Sequence, residues 1–144
     1  MGQSATDTSV EHLDALVGQW AIEISHPSDP TIVISGRAVF EWLSGGHFLV
    51  ERWNVAHPDF PDGIAVIGEG TQHYFDSRGV ARVYEMSLAG GVWKLWREPE
   101  PPDFSQRFTG TISEDRTVID GYWEIAHDGS TYERDFDLTF RKVI

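Results

Sequence analysis

The side chains able to do chemistry in this chain are mainly arginines and glutamates. Nine arginines stand against two lysines. Six of them, Arg37, Arg52, Arg82, Arg97, Arg107 and Arg134, fall in segments that alternate like strands. So do Glu51, Glu85, Glu98 and Glu124. Arginine keeps its charge in partly buried sites and grips a carboxylate through two parallel bonds. A carboxyl beside an apolar wall has its pKa raised and becomes able to move protons near neutrality. The ordinary alternative is cross-strand pairing on the outer surface, where such pairs contribute little.

Strand parity separates the two cases. Over 80–88, Arg82, Tyr84, Met86 and Leu88 share a face. Over 92–98, Trp93, Leu95 and Arg97 do so, and over 104–113 Gln106, Phe108 and Gly110 do, with Arg107 opposite. Over 118–127, Tyr122 and Glu124 lie together, opposite Trp123. The expected interior is amphipathic: Arg82, Tyr84, Arg97 and Gln106, with Tyr122 or Trp123, and with Trp53 and Arg134 as further ligand-binding candidates. Candidate acid–base residues are Glu124 or Glu51, acting with Tyr84 and an arginine. A bulge that slips the register by one residue swaps the faces.

Other chemistries find little support. There is no Cys, which removes disulfides, thiolate metal sites and Cys nucleophiles. The six His (His12, His26, His47, His57, His73 and His127) show neither His-x-His nor His-x3-His spacing, so no metal is expected. His47 and His57 read as opposite ends of one strand, ~33 Å apart at ~3.3 Å per residue. No Gly-rich phosphate loop, nucleophile elbow or Ser-His-Asp set is present. A formal net charge of −12 repels phosphate backbones and anionic lipid, so nucleic-acid and membrane partners are not expected. No apolar run reaches the ~18 residues of a membrane span, and no cationic start precedes an apolar stretch. A cytoplasmic location is the simplest inference.

The elements that must position these residues are strands. The length of 144 residues fits one domain over 10–144 after a flexible 1–9. Thr8 or Ser9 caps a short helix over Val10–Val17, which Gly18 stops. Strands are expected over 20–25, 31–42, 47–57, 64–75, 80–88, 92–98, 104–113, 118–127 and 131–142, separated by turn residues. Asp76-Ser77-Arg78-Gly79 reads as a tight hairpin with Gly79 at positive φ. His57–Gly63 reads as a rim or a rigid connection beside the barrel mouth. The fold class is all-β: a single antiparallel up-and-down barrel of about nine to ten strands, with the short helix plugging one end. Several strands are apolar on both faces, as at Trp93 and Leu95 opposite Val92 and Trp96. One face then lines a cavity and the other meets the helix or a partner, so a homodimer is an expectation.

Gly18-Gln19-Trp20 opens the first strand directly after the helix, and Arg141-Lys142 closes the last. This resembles the calycin group: lipocalins, fatty-acid-binding proteins and nitrobindin-like barrels. The stretches Phe40-Glu41-Trp42-Leu43, Gly46-His47-Phe48-Leu49-Val50, Tyr74-Phe75-Asp76-Ser77-Arg78-Gly79 and Phe104-Ser105-Gln106-Arg107-Phe108 are similar to uncharacterised bacterial calycin-like domains of the DUF1579 group. The resemblance covers roughly 10–142. It implies that Trp20 is core packing, with Arg141 or Lys142 against it as a cation–π or capping contact. Nitrobindins hold haem through a His of the last strand. Here 132–140 contains no His, and Asp135 or Asp137 takes that place, with His127 or His73 able to serve only from another strand. Carboxylate is a poor ligand for haem iron, so no cofactor is expected.

Two main functional readings follow. The first is binding of a small hydrophobic or aromatic molecule, carrying an acidic or carbonyl group, inside the barrel. The alternative is a cofactor-independent acid–base enzyme, a cyclase, isomerase or hydratase, on the same pocket. A third reading makes the outer aromatic face an interaction surface.

Overall fold

The computed structural model describes residues 12–68 and 70–144; the expected flexible start, the caps Thr8 and Ser9, and Val10 and Glu11 of the helix lie outside them. The described part of that helix is a 3-10 turn, Leu13–Leu16. Leu13 and Leu16 are both buried, because they point down into the strands that follow. The Trp20 indole donates to the Leu16 carbonyl at 2.9 Å, and the Trp42 indole to the Asp14 carboxylate at 2.9 Å. These two bonds satisfy the polar edges of rings that otherwise fill apolar volume.

Ten strands follow: β1 Gly18–His26, β2 Asp29–Trp42, β3 Leu49–Val55, β4 Gly63–Gly68, β5 Thr71–Asp76, β6 Ala81–Ala89, β7 Val92–Arg97, β8 Ser105–Ile112, β9 Val118–Ala126 and β10 Glu133–Lys142. Each pairs antiparallel with the next, and β10 pairs with β1, so the sheet is a closed up-and-down barrel. Closure leaves no edge strand unpaired. The barrel is consistent with the calycin-like fold. Lys142 faces Trp20 in register and sets its ammonium 5.2 Å from the ring, while Arg141 turns outward to Glu23 at 2.9 Å. No helix among the described residues is long and apolar enough to cross a membrane.

Two strand boundaries differ from expectation. The segment 64–75 is a hairpin, β4 and β5, and the turn places Gly70 at φ +80°. The turn changes parity. Ala65 and Ile67 are buried in β4, and their partners in β5 are Tyr74 and Gln72. An unbroken strand would have put Ile67 and Gln72 on opposite faces. The strand expected over 47–57 is only Leu49–Val55, so His47 and His57 both lie in loops. The hairpin at Asp76–Gly79 forms as expected, with Gly79 at φ +83°.

The core is layered along the barrel axis. Nearest the 3-10 turn, Trp20, Phe40, Trp93, Phe108 and Phe140 pack edge-on or tilted, with centroids 5.1–6.2 Å apart for the paired rings. Edge-on contact suits the ring quadrupoles. Gly110 and Gly121 face each other across β8 and β9, and a Cβ on either would come within 2.8 or 2.7 Å of the Phe108 ring. Their lack of a side chain is what lets Phe108 lie flat in this layer. Above it, the barrel is open.

Candidate ligand-binding cavity

A cavity of about 650 Å³ occupies the barrel between this aromatic floor and the mouth. Floor-side ends of the strands are the starts of β3, β5 and β7; the mouth is ringed by the ends of β1, β5 and β9 and the starts of β2, β6, β8 and β10. The walls are mostly apolar and aromatic, with Trp53, Tyr74, Tyr84 and Trp123 stacking round one side. Phe60, from the loop between β3 and β4, reaches over the rim and meets Phe136 edge-on at 5.6 Å. The loop is held down by Asp62, whose carboxylate accepts from Val55 N at 2.9 Å and whose carbonyl accepts from Ser77 N at 2.8 Å.

Six of the residues singled out from sequence line this cavity together: Glu51, Trp53, Arg82, Tyr84, Gln106 and Trp123. Tyr84 is buried, and its hydroxyl donates to Gln106 Oε1 at 2.8 Å. The Trp53 indole donates to the Pro61 carbonyl at 3.0 Å, and its ring stacks on Tyr74. Arg82 lies at the mouth with its guanidinium 5.7 Å from the Tyr74 centroid and 5.1 Å from that of Phe104. Arg97 stands beside it on β7 but not in the lining; it binds Asp103 at 3.0 Å and covers the other part of Phe104.

Three expected interior positions are on the outside. Glu124 accepts from Arg107 at 2.8 and 3.3 Å on the outer surface. Tyr122 lies under the Arg134 guanidinium at 4.0 Å, and Arg134 is bonded to Asp137. Parity explains Tyr122 and Glu124, because Trp123 between them takes the inward place. A bulge explains Arg134. Arg134 pairs with Glu124, but Phe136 pairs with Trp123, so Asp135 is an extra residue and the face switches across it. Without the bulge Arg134 would share the inward face of Phe136, Leu138 and Phe140.

Sequence reasoning missed Gln72, Tyr74 and Phe60, which also line the cavity, as does Asp135, one of the two residues read in the place of a ligand on the last strand. The Gly68-Glu69-Gly70 run was the available signal for the turn that brings Gln72 and Tyr74 inward. For Phe60 no comparable signal exists in a single sequence.

The cavity is electrostatically divided. Glu51 sits on β3 with only 7% of its surface exposed, and burial alone pushes its carboxyl pKa up to about 8. The group is therefore uncharged at neutral pH. Burial also raises Tyr84, against the lowering pull of Arg82 and Arg97. At the mouth, burial pushes Asp76 up, but bonds from Arg78, Tyr74 and the backbone N–H groups of Arg78 and Val80 outweigh it and hold the carboxylate far below its ordinary range. Tyr74 is raised by burial and by the bond it donates to that carboxylate at 2.5 Å. Burial raises Asp135, which His26 partly offsets.

The last strand presents Asp135, not an imidazole, to the cavity; His73 and His127 are exposed and outside its lining, and His26, at the end of β1, lines the mouth. The arrangement offers an aromatic slot, an uncharged carboxyl within it and a guanidinium at its entrance. Compared with known proteins, the chain matches no family model and no curated protein.

Proposed function

We propose that the barrel binds a small, largely apolar or aromatic molecule in its interior, one that carries a carbonyl or acidic group. The observation that carries this reading is the cavity of about 650 Å³, walled by rings and provided with only a few fixed polar groups. Ligand sites have this size and this sparse polarity. Arg82 adds to it: the guanidinium rests on two rings and no carboxylate among the described residues pairs with it, so its donors can take a ligand oxygen. The resemblance to calycin barrels belongs to the same reading and rests on Gly18-Gln19-Trp20 under Lys142; the likeness to DUF1579-type domains rests on the Phe40–Leu43, Gly46–Val50, Tyr74–Gly79 and Phe104–Phe108 stretches.

Trp53, Trp93 and Trp123 line the cavity and report on it. Titration with a panel of aromatic and aliphatic amides, ketones and acids is expected to quench Trp emission saturably and to raise the melting temperature. A panel that moves neither would end the reading.

Glu51 favours a second reading, acid–base catalysis on the bound molecule, because a buried carboxyl with pKa about 8 holds and releases a proton near neutrality. In that case Glu51→Gln removes turnover of a bound substrate while leaving its binding in place. Unchanged turnover in that variant would exclude Glu51 as the acid or base.

A further inference from the structure

Two polar atoms at the floor-side end of the cavity, Trp93 Nε1 and Gln72 Oε1, have no hydrogen-bond partner among the described residues, and the buried carboxyl of Glu51 stands with them. Trp93 is 2% exposed and its indole N–H bonds to nothing among the described residues. Gln72 is 5% exposed and its Oε1 is likewise unpaired. Glu51 is 7% exposed, and burial raises its carboxyl pKa. All three line the cavity. They stand close to the aromatic floor: Glu51 pairs across strands with Phe40, Phe40 packs on Trp93 at 5.9 Å, and Gln72 pairs with Ile67 beside Tyr84. Unpaired buried polar groups are costly and rare in native interiors, and they acquire meaning where a ligand supplies the partner.

Their chemistry is specific. Trp93 is a donor only, Gln72 Oε1 is an acceptor, and a protonated carboxyl is both. Among the described residues that line the cavity, the guanidinium groups of Arg82 and Arg78 are at the mouth, not at this depth. An anion carried to the floor would lose its hydration without a counter-charge. Resting on the binding reading above, we infer that the floor is an uncharged polar subsite that takes the ligand head-first. It selects a neutral group that both accepts and donates hydrogen bonds, of the primary-carboxamide type, on an aromatic body lying between Trp53, Tyr84 and Trp123. A charged acid would instead stop at Arg82.

A matched set decides this: naphthamide, methylnaphthalene and naphthoate, titrated against Trp emission at neutral pH. Naphthamide is expected to bind about tenfold tighter than methylnaphthalene, the scale of one well-made buried hydrogen bond. Glu51→Gln, which keeps a neutral donor and acceptor, should retain that preference. Glu51→Leu and Gln72→Leu should remove most of it. Should Glu51→Leu not fold, Trp93→Phe removes the indole N–H and carries the same comparison. Equal binding of the amide and the methyl compound overturns the subsite but leaves a binding barrel. So does a preference that survives these substitutions, or naphthoate binding tightest. Failure of all three compounds to bind overturns the binding reading itself.

Discussion

Asp76 holds a hairpin and one side of the cavity mouth together. It receives bonds from the Tyr74 hydroxyl, the Arg78 guanidinium and two backbone N–H groups, and its side chain is fully enclosed by them. Asp76→Asn weakens each of these, and the expected cost is about 1–3 kcal/mol in urea unfolding. Its depressed pKa means that this stability is present above the ordinary carboxylate range and is lost as falling pH protonates the group. Glu51 has the opposite sign. Its folded pKa of about 8 lies above its ordinary value of 4.5, so the fold favours the protonated form. Its contribution is complete below the unfolded value and is lost as pH rises through that interval. Glu51→Gln is therefore expected to be more stable than the parent by about 4 kcal/mol near pH 8, with the difference vanishing near pH 4. Unfolding curves at both pH values check it. At this scale, Arg82, Tyr84 and Gln106 were legible from alternation alone, because their strands run without interruption, whereas alternation left Tyr122 and Trp123 as alternatives. Arg134 and Gln72 were not legible, since a bulge and a tight turn, each one or two residues long, reverse the faces of everything beyond them.

Between strands, the fit of rings over glycines decides what each wall can hold. Trp53 pairs with Gly63, and a Cβ there would come within 2.2 Å of the indole and 2.6 Å of the Phe75 carbonyl. Gly63→Ala must push Trp53 out of its stack on Tyr74. The expected result is a loss of about 1–3 kcal/mol and a shifted Trp emission maximum. In a Trp53→Phe background the smaller ring should reduce that loss, which a double-mutant cycle measures. Strand positions were mostly legible because period-two alternation and Gly- or Asp-led turns agree along most of the chain. The count fell one strand short because 64–75 alternates well enough to pass as continuous, while the turn at Gly70 needs only two residues. Close approaches such as Trp53 on Gly63 depend on register between strands, which no local pattern encodes.

The whole molecule combines a strongly acidic exterior with an apolar interior. A net charge of −12 makes the folded state repel itself, so melting temperature is expected to rise between low and moderate NaCl as the charges are screened. Binding of a neutral aromatic ligand inside should be nearly indifferent to the same salt change; a steep fall would mean that the ligand sits on outer charges. The closed barrel itself was legible from its two ends, where Trp20 and Lys142 meet, whereas the cavity depends on ten strands closing in one register. The most direct test of an interior binding site is calorimetric titration of the parent and of Leu138→Trp with naphthamide. Leu138 lines the cavity, and an indole there fills it. The account predicts one ligand per chain, a negative heat-capacity change from apolar burial, and loss of binding in a Leu138→Trp variant that still melts cooperatively. Binding that is absent in the parent, or undiminished when the cavity is filled, would contradict it.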